Sequence, residues 1–587
     1  MTTSAGAATA LPKPTVEPAV GQPSQTTLEK RIAGASGTGT STTDTSTTGT
    51  PTKGSSPSAV SPQIIGGNET TISTAPWMAQ LWYFDDKGTS DTSDDIGFFC
   101  GGSVVSPTKI LTAAHCVKGY DSKTRTSVVY NWKANGAIVT GTDQLPTTGS
   151  TGSTDLHGGQ ATGVLRQWYN PSYNPAEIDN DIAVLTLAVP VKATPIRMVT
   201  SGDTASYTGT AAQSAKVYGW GRTSSTSQDI SQTLKTASLP IQSDTTCANY
   251  FGADFVKNHM VCAGKPATGS DAGTTSACNG DSGGPLVVNG RIAGVVSWGR
   301  PNCVEKGAYS VFSKVSTYVG AAYPQIDDGN LSYYDGKADL FVRDSATKTG
   351  YEKDSKGTSF GARTSLGDWS GVNLVLTTDL NRDGYQDYVY RVSSTGDVYW
   401  DHFVLNSART DGSWASTKIF SGWKTRTRII TPGDLTGDYK PDVLSVDSGG
   451  TLWLYPGNGN GTFGTRVSVG PGWSQYNSVR GHGDFTGDGR ADLLARKSST
   501  GDLYLYKGTG KSGSGAFSTR IKVRSAWTGY NAFDAVGDVS GDGKADFLAR
   551  TPGGTLYLYK GTGKATSEIF ATRISVGTGF QAYDLFG

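Results

Sequence analysis

Three short motifs in this chain carry side chains suited to nucleophilic chemistry. His115 stands in TAAHC, Asp181 opens the apolar run of DNDIAVL, and Ser282 sits in the glycine-rich turn CNGDSGGP. A serine hydroxyl is a weak nucleophile until a base takes its proton, and an imidazole serves as that base best when a third group orients it. The three types together therefore point to acyl transfer through a covalent intermediate. Singly they are unremarkable: a structural histidine, a turn aspartate, a Gly-Asp-Ser-Gly bend. Their joint occurrence, in the order His, Asp, Ser and with six cysteines fitted around them, gives them weight.

The elements that must hold these residues read as β-structure. From Ile64 onward, short β-branched and aromatic runs such as WMAQLWYF, DIAVLTLAV and GPLVVNGRIAGVVSWG alternate with Gly, Pro, Asn and Asp. Strands of that length and spacing predict barrels or sandwiches. The run STYVGAAYPQI (316–326) is expected to form a helix that closes this domain. The cysteines lie at 100, 116, 247, 262, 278 and 303, and none lies outside that stretch. An even number confined to one region predicts a disulfide framework, and hence a secreted, extracellular protein.

Composition sets further bounds. At 587 residues the chain requires more than one domain. Lys+Arg number 51 and Asp+Glu 50, so no basic excess argues for a nucleic-acid partner. No apolar run is long enough to span a membrane. The start MTTSAGAATALPKP has neither the basic nor the apolar part of an export signal, so the expectation is that such a signal has been removed. Residues 1–63 are rich in Thr, Ser, Gly, Ala and Pro and are expected to be disordered, as a propeptide, a spacer or both. No oligomer signal is visible, and a monomer is expected.

From about Asp327 a repeat begins. Its loops are DLNRDGYQD (379–387), DLTGDYKPD (434–442), DFTGDGRAD (484–492) and DVSGDGKAD (538–546). Each is followed by strand-like stretches, and four short strands per repeat of about 50 residues is the pattern of a propeller blade. The array opens with a half motif, YYDGKADLFVRD (333–344), and stops at GTGFQAYDLFG, the part the first blade lacks. A blade made from both chain ends would close a ring of five and leave no open sheet edge. An open stack of the same repeats is the alternative.

Over residues 64–326 the three motifs, with GWG (219–221) and SWG (297–299), resemble the chymotrypsin/trypsin family. The resemblance implies an all-β two-barrel protease domain ahead of the propeller, with domains at 64–326 and 327–587. It implies that Ser282 is the nucleophile, that His115 shuttles its proton, and that Asp181 orients the imidazole. The N–H groups of Gly280 and Ser282 would form the oxyanion hole. It also implies the pairs Cys100–Cys116, Cys247–Cys262 and Cys278–Cys303, and no cofactor for catalysis.

The resemblance extends to activation and specificity. The segment QIIGG is similar to the family's activation junction, so cutting after Gln63 would free Ile64 to pair with Asp281; Gln63 departs from the Arg or Lys usual there. The specificity pocket would be built by Ser276, six residues before the nucleophile, with Ser297, Gly299 and Gly307. Without a carboxylate, that pocket is expected to take Phe, Tyr or Leu side chains of protein substrates. Asp271 or Glu305 could still rescue basic ones.

The D-x-[NTS]-x-D-G-x-x-D loops resemble FG-GAP/VCBS repeats and imply calcium bound by oxygen side chains. The expected ligands are Asp379, Asn381, Asp383 and Asp387, then Asp484, Asp488 and Asp492, then Asp538, Asp542 and Asp546. The same aspartates could instead only cap turns. In the first loop Leu331 and Tyr333 replace ligands, and no site is expected there. Two functions from different classes follow: a secreted endopeptidase with a propeller that targets or stabilises it, or an adhesion protein whose propeller binds a glycan or cell-surface ligand beside a vestigial protease.

Overall fold

The computed structural model describes residues 11–37, 64–121, 126–149, 153–203, 207–327 and 335–587. They form two compact units: one spans Gly21–Ala322, and the other takes Tyr323–Gly587 together with residues 11–20.

The first unit is all-β apart from short helices. Its seven-stranded sheet runs from Gln160–Thr162 through Gly136–Thr140, Met78–Asp85, Ile96–Ser106 and Lys109–Thr112 to Ala183–Leu187 and Val164–Tyr169. An eight-stranded sheet is centred on Lys216–Gly219, Pro285–Val288, Arg291–Trp298 and Ser310–Lys314. These are the two halves of the expected chymotrypsin-like domain. Its predicted closing helix spans Val315–Ile326. All three disulfides form in the expected pairs, Cys100–Cys116, Cys247–Cys262 and Cys278–Cys303.

One expectation fails in the N-terminal stretch. Residues Gln25–Gly37 form a helix rather than disordered chain, with Leu28, Ile32 and Ala35 fully buried against the first sheet. These three small and medium apolar residues recur at helical spacing. The polar composition around them conceals a stripe just wide enough to dock.

The second unit is the expected propeller. Five separate four-stranded antiparallel sheets follow one another, and the first combines Leu340–Asp344, Thr349–Ser355 and Phe360–Asp368 with the last strand of the chain, Tyr583–Phe586. The closing strand pairs Val342 with Phe586, and the Phe341 N–H donates to the Gly587 carbonyl at 2.7 Å. The innermost strands, starting at Val372, Arg428, Tyr476, Ala532 and Tyr583, touch in sequence, and the last touches the first. The ring is therefore closed, and an open stack is excluded.

Repeated polar contacts join and shape the blades. Arg343, Arg391, Arg496 and Arg550 each donate from Nη1 to two carbonyls of the following blade, as Arg550 does to Phe580 and Tyr583 at 2.9 and 2.8 Å. The aspartate that ends each repeat loop pins backbone. Asp492 accepts from the Phe485, Thr486 and Gly508 N–H groups at 3.0, 3.1 and 2.9 Å. Among the described residues no helix is long and apolar enough to cross a membrane.

Candidate active site

Strand pairing brings the first two motifs together. Lys109–Thr112 runs antiparallel to Ala183–Leu187, with Thr112 opposite Ala183. His115 follows the first strand on a short 3-10 turn, Ala114–Cys116, and Asp181 precedes the second. The Asp181 carboxylate is therefore delivered to the imidazole: Oδ2 lies 2.8 Å from His115 Nδ1, and Oδ1 accepts the His115 backbone N–H at 2.8 Å.

Asp181 is almost fully buried and well supported. Ser297 Oγ donates to its Oδ2 at 2.6 Å, and Ser313 Oγ donates to its carbonyl at 2.5 Å. Several donors on one buried carboxylate hold its orientation and offset the cost of burying it. Sequence reading placed Ser297 in the substrate pocket; it lines the cleft and also braces Asp181. Ser313 was not foreseen, because one serine inside a strand gives no signal of what its hydroxyl meets.

Ser282 lies in a turn tied to both sheets. Its carbonyl accepts from Gly101 N–H at 2.7 Å, and Gly283 N–H donates to Val296 at 2.9 Å. Ser282 and His115 open into one cleft of about 180 Å³. Gly280 has φ +93°, and a Cβ there would come within 2.6 Å of Ile230 Cγ2 and 3.0 Å of Gly221 Cα. Only glycine fits, which leaves its amide free to follow the turn.

Behind that turn Asp281 is completely buried. It accepts from Gly221 N–H at 2.8 Å and Cys278 N–H at 2.9 Å. Loss of hydration outweighs these two bonds and pushes its carboxyl up to about 7. Ile64 and Ile65 are also fully buried, and the Ser276 N–H donates to the Ile65 carbonyl at 3.0 Å. Gln63 lies outside the described residues.

The specificity pocket differs from expectation at one wall. Ser276 is buried, and its Oγ lies 3.0 Å from that of Ser310, which lines the cleft; Gly299 lines it too. Gly307 does not. The strand Ser310–Lys314 pairs Val311 with Trp298, so Ser310 and not Gly307 stands beside Gly299. Gly307 instead turns at φ +86° against the Tyr250 ring. The two acids that might have served a basic substrate are engaged elsewhere. Asp271 accepts from Ser224 Oγ and Ser225 N–H, and Glu305 accepts from Tyr250 Oη. Arg300 stands on the lining.

In the propeller, one of the three expected ligand sets is brought together. One carboxylate oxygen from each of Asp538, Asp542 and Asp546 lies within 4.8 Å of the others. Burial first, and then repulsion from the neighbouring carboxylates, raises Asp387 beside Asp379 and Asp383, and Asp492 beside Asp484 and Asp488. The sets differ in internal neutralisation. Lys507 Nζ approaches Asp488 at 3.3 Å and Lys560 Nζ approaches Asp542 at 3.0 Å, whereas Asn381 Nδ2 donates to Asp383 at 2.7 Å. In 434–442 Tyr439 stands where the other loops have glycine, adopts φ +62° and supplies the left-handed turn itself. Leu331 and Tyr333 lie outside the described residues.

Comparison with known proteins agrees with this geometry. The family model described as Trypsin matches residues 64–321, and the one described as an FG-GAP-like repeat matches residues 484–549. A trypsin of Saccharopolyspora erythraea is 33% identical over 266 residues, 45% of this chain and 99% of the relative. Trypsin-3 of Salmo salar is 31% identical over 258 residues, 44% of this chain and 90% of the relative. Among solved structures, neuropsin, a serine protease from mouse brain, aligns with 25% identity and a TM-score of 0.34, covering 44% of this chain and 99% of its own.

Proposed function

The chain belongs to the trypsin family of serine proteases, and from that premise we propose a secreted endopeptidase that cleaves after large apolar residues. The observation that carries this reading is the 2.8 Å contact between His115 Nδ1 and Asp181 Oδ2 in the cleft that Ser282 shares.

Ser282 Oγ attacks the scissile carbonyl carbon while His115 Nε2 takes its proton. The N–H groups of Gly280 and Ser282 receive the oxyanion, each such donor contributing about 2.7–4 kcal/mol to the transition state. The amine leaves with the proton from His115. Water then repeats the sequence on the acyl-enzyme. Asp181 holds the tautomer that keeps Nε2 free to act as base.

Two features support an apolar preference: the uncharged Ser310 on the cleft lining, with Ser276 buried behind it, and the engagement of Asp271 and Glu305 with other partners. A buried Lys or Arg side chain there would lack a carboxylate partner, which is costly. The enzyme is made as a zymogen, and cutting before Ile64 supplies an α-ammonium for Asp281. A different protease performs that cut, since Gln63 suits neither a basic nor an apolar specificity. Three disulfides in this unit support an extracellular location.

Calcium would be held by Asp379, Asn381, Asp383 and Asp387, where among the described residues no lysine is paired with a carboxylate, and by Asp538, Asp542 and Asp546, whose oxygens already converge. The bound ion would cancel the repulsion among these carboxylates and stiffen the blade.

A serine-directed phosphonate tests the assignment of the nucleophile. One equivalent should attach to Ser282 in protein starting at Ile64, and none in its His115→Ala variant. Absence of labelling in folded protein would favour the adhesion reading.

A further inference from the structure

The first blade departs from the others at one buried position. Cross-strand pairing makes Leu454, Leu505 and Leu558 equivalent, opposite Leu444, Leu494 and Leu548. The second blade puts Trp400 there, opposite Val389. In the first blade the matching pair is Phe341 with Glu352. The three leucines are fully buried, and Glu352 is only 7% exposed. A carboxylate in a leucine slot is costly unless something of opposite charge meets it.

Among the described residues no side chain is shown to do so. Glu352 Oε1 is buried without a hydrogen-bond partner. Its neighbours are Asp339 and Asp354, both buried, and one oxygen from each of the three carboxylates lies within 4.8 Å of the others. Asp339 Oδ1 accepts the Ser355 N–H at 2.8 Å, as its counterparts do in other blades. Lys356 Nζ reaches Asp354 at 3.8 Å from the solvent side, with half its side chain exposed.

A second substitution in the same strand sharpens the contrast. Asp354 lies two residues after Glu352, the position that Lys507 and Lys560 hold in the fourth and fifth blades. Those lysines neutralise Asp488 and Asp542. The first blade has exchanged that internal cation for an acid and added another acid where leucine stood.

We propose that Asp339, Glu352 and Asp354 form a binding site for a divalent cation of the calcium type. Carboxylate oxygens alone are the donor set of a hard cation, and a flexible group of them suits calcium better than the stricter octahedron of magnesium. The site shares only Asp339, the closing aspartate of the first repeat loop, with the repeat pattern, since Glu352 and Asp354 come from the strand Thr349–Ser355. It supplies the first blade, where Leu331 and Tyr333 replace two loop ligands, with a cation held by Asp339 and two residues from the neighbouring strand.

The test uses the full chain carrying Ser282→Ala to prevent self-digestion, stripped of metal with a chelator. Crystals soaked in Tb³⁺ should give an anomalous peak within the triangle of Asp339, Glu352 and Asp354. Calorimetric titration with Ca²⁺ should show one equivalent fewer per chain in E352L than in the parent, whatever the repeat loops bind. E352L should fold, because leucine fills this slot in three sister blades. E352Q, which keeps the shape, should weaken that equivalent at least about tenfold. No peak in the triangle, or equal stoichiometry in parent and E352L, would overturn the proposal and leave a cluster of shared protons.

Discussion

Ser276 Oγ and Ser310 Oγ lie 3.0 Å apart, Ser310 on the lining of the cleft and Ser276 buried behind it, and each is already provided with partners. Ser276 donates to the Ala277 carbonyl at 2.9 Å, and Ser310 accepts the Ala277 N–H at 3.0 Å. The remaining Ser310 proton goes to Ser276. Neutral hydroxyls bonded to one another offer no carboxylate to a substrate cation.

The pocket wall can be narrowed without disturbing these serines. A Cβ on Gly299 meets no heavy atom within 4 Å, so a side chain there would project into open cleft. Gly299→Val should fold normally, lose about 10²-fold in kcat/KM on a Phe peptide, and lose little on an Ala peptide. Peptide kinetics on purified protein would show this. Equal losses on both peptides would mean that Gly299 does not bound the pocket.

Asp281 makes stability depend on pH in a way that cleavage reverses. In the uncut chain its carboxyl sits at about 7, above the usual 3.8, so the native state holds a proton that the unfolded chain releases. Stability is therefore lost as pH rises from about 4 to about 7, by on the order of 4 kcal/mol. Asp281→Asn removes that slope. Once Ile64 is the terminus, its ammonium favours the charged carboxylate, and the slope attributable to Asp281 should vanish. Denaturant unfolding of cut and uncut protein, each with its Asn variant, checks both arms. An identical slope in the two forms would refute the pairing.

The helix Gln25–Gly37 should stay in place after activation. Leu28 and Ile32 are fully buried, Arg31 Nη1 donates to the Gly136 carbonyl at 2.8 Å, and Gln22 Oε1 accepts from Thr162 Oγ1 at 3.0 Å and Gly163 N–H at 3.1 Å. Burial of each aliphatic side chain contributes about 1.5–3 kcal/mol. The fragment cut before Ile64 should co-elute with the enzyme in gel filtration, and Ile32→Asp should release it. Separation of the unmodified fragment under native conditions would contradict the docking.

What could be read in advance was whatever a local motif or a repeat encodes. TAAHC, DNDIAVL and CNGDSGGP pointed to three residues that strand pairing then brings together. The missing front half of YYDGKADLFVRD announced the closing strand Tyr583–Phe586. Features that depend on which way a side chain faces were not legible. Ser310 enters the pocket because Val311 pairs with Trp298, whereas the family resemblance pointed to Gly307. Glu352 reads as a surface acid until the alternation of Thr349–Ser355 places it inward. The docked helix was hidden by averaging, because three apolar residues vanish in a polar segment.

The most direct measurement compares protein starting at Ile64 with its Ser282→Ala variant on chromogenic peptides ending in Phe, Leu, Arg or Ala. The expected result is hydrolysis of the Phe and Leu peptides at least about 10²-fold above the Arg peptide, since an unpaired buried charge costs several kcal/mol, and abolished in the variant. Preference for Arg would contradict the uncharged pair of Ser276 and Ser310. Failure to cut any peptide, in protein shown to be folded, would contradict the catalytic assignment of Ser282, His115 and Asp181.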